Sequence, residues 1–182
     1  MNLPNRITLI RIVLVPVFLL ILSVRIQYGE WLAAAVFILA ASTDGLDGYL
    51  ARKRKEVTRL GKFMDPLADK LLVSAALVSL VELGKISAWV AFIIIGREFA
   101  ITGLRAIAAA DGVVVAASKL GKAKTISQII AIVFLFIHDF PFNLWNIPIG
   151  KFAMGVAVFF TIWSGLDYFS RVRHLLKAGQ YK

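Results

Sequence analysis

Residues 7–24 read ITLIRIVLVPVFLLILSV, an apolar run interrupted by one charge, Arg11. A helix needs about 20 predominantly apolar residues to cross a hydrocarbon core ~30 Å thick, so this stretch has the length and composition of a membrane span. Five further stretches repeat the pattern, and we read spans at about 7–24, 31–51, 66–83, 86–109, 125–140 and 147–168. They are too long for the ~10-residue alternating segments of an outer-membrane barrel. The expected fold is therefore all-α, a polytopic integral membrane protein with six transmembrane helices. The first span runs on through Leu19-Leu20-Ile21-Leu22-Ser23-Val24-Arg25 with no small-x-small cleavage pattern, so it reads as a retained anchor.

Composition agrees. Of 182 residues, 59% are apolar and 18% charged, against ~45–50% and ~25% in soluble chains. Mean hydropathy is +0.80. A soluble enzyme is argued against. No linker or repeat interrupts the chain, so one domain over 1–182 is expected. Without cysteine there is no disulfide framework, zinc ribbon or thiol nucleophile, and His138 and His174 are too far apart to suggest a histidine metal site.

The net charge of +10 is compatible with nucleic acid or with a membrane surface, and placement decides between them. Arg25, Lys85 and Lys151 occupy the connections after the odd-numbered spans; the other 18 of the 21 basic residues lie elsewhere. The positive-inside rule then puts both termini in the cytoplasm, in a multi-pass protein of the cell membrane rather than a nucleic-acid binder. Trp31, Trp89, Trp145 and Trp163 read as interfacial anchors.

Four of the 11 acids cluster in 26 residues: Asp44, Asp47, Asp65 and Asp69. A carboxylate inside a membrane helix is costly and marks a functional site by default. Residues three or four apart share a helix face, so Asp44, Asp47, Gly48, Ala51 and Arg52 form one stripe and Gly61, Asp65 and Asp69 another. Facing stripes would bring four carboxylates to one pocket, where like charges raise one another's pKa unless cations bind. All-oxygen ligands suit Mg²⁺ or Mn²⁺, as two ions bridged by shared carboxylates. Gly48 and Gly61 leave the floor between the acids bare, and Arg52 is placed to contact a phosphate.

Plainer readings exist for each residue. Asp65-Pro66 is also an ordinary helix start. Asp44 and Asp47 could pair with Arg52 and Lys70, Gly48 could serve helix packing, and Arg97 could pair with Glu98. As another function, a divalent-cation transporter would use the acids but leaves the glycines, Arg52 and a later basic cluster unexplained.

The stretch 44–69 resembles the signature of CDP-alcohol phosphotransferases, D-x2-D-G-x2-A-R-x8-G-x3-D-x3-D, at all eight fixed positions. Gly96-Arg97-Glu98-Phe99-Ala100-Ile101-Thr102-Gly103-Leu104-Arg105, residues 118–125 and the opening residues 2–11 are similar to its bacterial phosphatidylglycerophosphate synthase branch. The resemblance implies a membrane-embedded homodimer that transfers the phosphatidyl group of CDP-diacylglycerol to the 1-hydroxyl of glycerol 3-phosphate, releasing CMP at the cytoplasmic side. A relative using serine or inositol phosphate is the alternative. By the same resemblance Asp44, Asp47, Asp65 and Asp69 hold the metal ions, and Asp69 is the base for the acceptor hydroxyl. Asn5, Thr8, Gly48, Arg52 and Gly61 would hold the liponucleotide. For the phosphorylated acceptor, Arg97 and Arg105 lie only ~80° apart around one helix, and Lys122 and Lys124 follow in the next connection; the plain reading of these cations is topology or snorkelling. Asp111, Asp139, Asp167 and Glu82 are treated as interfacial.

Overall fold

The computed structural model describes residues 3–24, 26–54, 59–110 and 119–179, with side chains described for 5–24, 26–43, 64, 66–108 and 120–170. Six α-helices follow one another among the described residues: α1 (Leu3–Ser23), α2 (Gly29–Arg54), α3 (Arg59–Glu82), α4 (Ala88–Ala110), α5 (Lys119–Phe136) and α6 (Ile149–Gly179), with a 3₁₀ turn at Phe142–Trp145 before the last. There is no strand among the described residues. The all-helical expectation and the number of helices hold. Among the described residues, two stretches are long and apolar enough to cross a membrane, Asn5–Ser23 and Ile149–Ser170, and Gly29–Thr43 is a shorter apolar one.

Several boundaries differ from the sequence reading, and α6 runs on to Gly179 rather than ending at 168. Asp65-Pro66 does not begin a helix: α3 starts at Arg59 and carries Pro66 as its eighth residue, past the four N–H groups that lack intrahelical partners, so the helix forgoes one ladder hydrogen bond there. The fifth helix starts at Lys119 rather than 125 and stops at Phe136 rather than 140. Its basic first turns belong to the helix because Lys, Leu and Ala are strong helix formers whatever their hydropathy.

Short connections make α1 and α2, α3 and α4, and α5 and α6 antiparallel neighbours. These three connections meet at one end of the bundle. Lys85, between α3 and α4, hydrogen-bonds Glu30 at the start of α2 and the carbonyl of Leu135 at the end of α5, the latter at 2.7 Å. His138 Nε2 lies 3.2 Å from the same Glu30 carboxylate. The opposite end therefore gathers the start of α1, the end of α2, the starts of α3 and α5 and the end of α4. At the Lys85 end, α3 closes with Gly84 at φ +69, its N–H on Val81 O and that of Lys85 on Leu80 O, the paired bonds of a glycine-terminated helix.

One core runs down the bundle around Phe18, Phe37, Leu72, Leu77, Leu80, Ile94, Ile132 and Phe136. Phe18 meets Phe136 edge-on, ring centroids 5.5 Å apart. Alanines 33, 34, 40, 76, 91, 131 and 157 are buried among them and let the helix backbones approach, as small residues do where helices pack in lipid. Large apolar side chains instead face outward on every helix, among them Leu20, Leu39, Val78, Phe92, Ile126 and Phe159. All four tryptophans are exposed.

Candidate active site

Asp69 lies about ten residues, roughly 15 Å, into α3 from its start, and Gln128 about nine residues into α5. The two positions are level because both helices start at the same end of the bundle. From the antiparallel α4 come Arg97, Glu98 and Arg105. Asp69, Lys70, Glu98, Lys124, Thr125 and Gln128 supply the polar wall of a small cavity of ≈ 50 Å³, closed on the other side by apolar residues such as Leu72 and Ile94.

Glu98 is the centre of the polar contacts. Its Oε1 receives Arg97 Nη1 at 2.8 Å and Lys124 Nζ at 2.5 Å, and Lys124 is only 4% exposed. Two cations on one carboxylate leave the group net positive in a largely desolvated place, and this arrangement survives because each charge is hydrogen-bonded. Arg97 also reaches across to α6, where its Nη2 donates to Ser164 Oγ at 3.0 Å. Its stem passes so close to Gly165 that a Cβ there would stand 3.4 Å from Arg97 Cγ. Lys70 donates to Thr102 Oγ1, which itself donates to the Glu98 carbonyl at 2.7 Å.

On the far side of Arg97 a wider cavity of ≈ 430 Å³ is lined by Arg97, Arg105, Gly121, Lys122, Thr125 and Tyr168. Arg105 and Lys122 form no ion pair among the described residues. Tyr168 is buried, and its hydroxyl has no hydrogen-bond partner among the described residues. Three basic side chains and a spare phenol on one cavity favour an anion rich in oxygen acceptors.

Of the acceptor residues expected from the sequence, Arg97, Arg105 and Lys122 thus share one cavity, while Lys124 lines the smaller one. The separation follows from spacing: residues two apart on a helix differ by ~200°, so Lys122 and Lys124 leave opposite sides of α5. Asn5 and Thr8 are buried on α1. Asp44, Asp47, Gly48 and Arg52 fall on α2 and Gly61 and Asp65 on α3, but their side chains lie outside the described residues, as does Asp111. Among the described residues no three His, Cys, Asp or Glu side chains cluster as a metal site.

Three residues were missed by sequence reasoning. Arg11 is 1% exposed in the first span and its Nε donates to Thr43 Oγ1 at 3.3 Å, which ties α1 to the residue just before Asp44. The signal was present, since an arginine inside an apolar span is rarely idle. Tyr168 and Gln128 gave none, because neither a tyrosine nor a glutamine in a helix says which way it faces. Asp139, treated as interfacial, receives the Gly150 N–H at 2.6 Å and so caps α6.

The comparisons with known proteins bear on this arrangement. The family described as CDP-alcohol phosphatidyltransferase matches residues 1–163. The chain is 50% identical to the CDP-diacylglycerol–glycerol-3-phosphate 3-phosphatidyltransferase of Bacillus subtilis (strain 168), covering 97% of each chain. It is 39% identical to the protein of that name in Shigella flexneri serotype 5b (strain 8401), over 94% of this chain and 95% of the relative. With that in Rickettsia bellii (strain RML369-C) it shares 37% identity over 92% and 93%. A match over most of the chain, with relatives aligned nearly end to end, means that this protein belongs to the CDP-alcohol phosphatidyltransferase family.

Proposed function

We propose that this protein transfers the phosphatidyl group of CDP-diacylglycerol to the 1-hydroxyl of glycerol 3-phosphate, giving phosphatidylglycerophosphate and CMP. The observation that carries the reading is the cavity holding Arg97, Arg105 and Lys122 next to the cavity of Asp69. A phosphorylated acceptor needs several charge-assisted contacts, and an uncharged polyol such as glycerol would leave them unused. The names of the relatives support the same substrates.

Asp44 and Asp47 on α2 and Asp65 and Asp69 on α3, two helices in contact, form an all-carboxylate donor set suited to hard divalent ions. Two Mg²⁺ or Mn²⁺ ions held there would neutralise the diphosphate and orient an in-line displacement. The protein's own groups do the rest. Arg105 and Lys122 anchor the acceptor phosphate, with Arg97 held beside them by Glu98 and Ser164. Asp69 takes the proton of the 1-hydroxyl as its oxygen attacks the phosphatidyl phosphorus and CMP departs; the carboxylate is a weak base unless its neighbours raise its pKa or the metal polarises the alcohol. Asn5 and Thr8, buried beside Arg11, and Gly48, Arg52 and Gly61 hold the cytidine diphosphate.

In this reading all six helices span the cell membrane as one domain over 1–182, both termini and the site face the cytoplasm, the outward Leu, Val, Ile and Phe side chains meet lipid, and the protein works as a homodimer. Asp69, Lys70, Glu98 and Lys124 turn toward the site, which is how an intramembrane charge is tolerated. The test is purified protein with CDP-diacylglycerol and a panel of alcohols, following CMP release. Glycerol 3-phosphate should be strongly preferred over glycerol, serine and inositol; equal turnover of serine or glycerol would refute the acceptor.

A further inference from the structure

Gln128 is 2% exposed, and its amide nitrogen has no hydrogen-bond partner among the described residues. A buried primary amide with unused N–H donors costs stability and calls for an explanation. Gln128 lies one turn beyond Lys124 on the same face of α5, and both line the small cavity with Asp69. The cavity is polar on that side and large enough for a few atoms rather than a nucleotide.

We propose that Gln128 is a specificity-determining residue that donates a hydrogen bond to the non-reacting 2-hydroxyl of the acceptor. The inference rests on the function proposed above and extends it to the polyol end of the substrate. With its phosphate among Arg97, Arg105 and Lys122, the acceptor's carbon chain passes Thr125, which lines both cavities, and its hydroxyl end enters the cavity of Asp69. Two hydroxyls then have different needs. The 1-hydroxyl must keep its lone pair for the phosphorus, and an N–H donated to it would blunt the nucleophile. The 2-hydroxyl takes no part in bond making and accepts an amide N–H at no such cost. The neighbouring cations each already donate to a partner, Lys124 to Glu98 and Lys70 to Thr102, whereas the buried amide nitrogen of Gln128 donates to none of the described residues.

The decisive comparison sets glycerol 3-phosphate against 3-hydroxypropyl phosphate, which keeps the phosphate and the reacting hydroxyl and lacks only the 2-hydroxyl. Wild-type protein should show about tenfold or greater preference in kcat/KM for glycerol 3-phosphate, because the analogue leaves the amide unpaired. Gln128→Leu should lower kcat/KM for glycerol 3-phosphate by about tenfold and leave that for 3-hydroxypropyl phosphate within about twofold, so the preference disappears. Retained turnover of the analogue also reports an intact fold. If the leucine variant folds poorly, the longer, unbranched Gln128→Met is measured in its place. Equal losses on both acceptors would mean a structural role, and an undiminished preference in the variant would mean that the cavity holds only water; either overturns the inference. Wild-type protein that uses both acceptors equally well overturns it too while leaving the proposed function standing, whereas wild-type protein that uses neither refutes the function itself.

Discussion

Lys124 of α5 reaches Glu98 of α4 at 2.5 Å, and the same carboxylate oxygen holds Arg97 at 2.8 Å. This contact joins α4 and α5, which with α6 wall the candidate acceptor cavity, and holds Arg97 at that cavity's edge. Its energetics are those of buried ions, where removing one partner costs far more than the pair contributes. Glu98→Gln should therefore lower stability by about 3–5 kcal/mol, since the buried Lys124 and the half-buried Arg97 lose their counter-charge. Thermal unfolding in detergent checks this. A double variant with Lys124→Met should recover part of the loss, as expected for residues in direct contact.

Activity should require added divalent metal and vanish in excess chelator. Asp44→Asn, Asp47→Asn and Asp65→Asn should each abolish turnover by removing a hard anionic ligand. Asp69→Asn should lower kcat by roughly 10²–10⁴, the usual contribution of a general base, while liponucleotide binding is partly kept. CMP release and binding of labelled CDP-diacylglycerol separate the two effects.

Arg105→Ala and Lys122→Ala should raise the KM for glycerol 3-phosphate about 10- to 150-fold, the equivalent of one charge-assisted hydrogen bond. The KM for CDP-diacylglycerol should stay nearly unchanged, because these side chains line the cavity beyond Arg97. Weakening of the liponucleotide alone would reverse the assignment of the two substrates.

Gly150→Ala should destabilise the bundle at the end away from the site. An added Cβ would stand 2.7 Å from Asp139 Oδ1 and 2.9 Å from Leu135 Cγ, inside the contact that caps α6. Overpacking of this kind costs about 1–3 kcal/mol, and Asp139→Ala should cost about 1 kcal/mol through loss of the cap. Unfolding midpoints should fall for both, with the KM values for both substrates unchanged.

The sequence by itself determined the all-helical fold and the number of helices among the described residues, and it singled out 44–69 as the expected site, because apolar length and the spacing of carboxylates are properties of the chain read in one dimension. It also implied that Arg97 and Arg105 share a face, since eight residues return a helix almost to its starting angle. Boundaries set by hydropathy erred where a helix continues past its apolar part, as at Arg59 and Lys119, since hydrogen bonding and propensity end a helix and polarity does not. What only the tertiary structure decided is which polar side chains turn inward. A membrane helix is apolar on nearly every face, so no amphipathic stripe distinguishes the side toward its neighbours from the side toward lipid. The separation of Lys122 from Lys124, the burial of Arg11, Tyr168 and Gln128, and the meeting of Glu98 with two cations each depend on how α4, α5 and α6 are rotated against one another, and that rotation is set by packing between residues far apart in the chain.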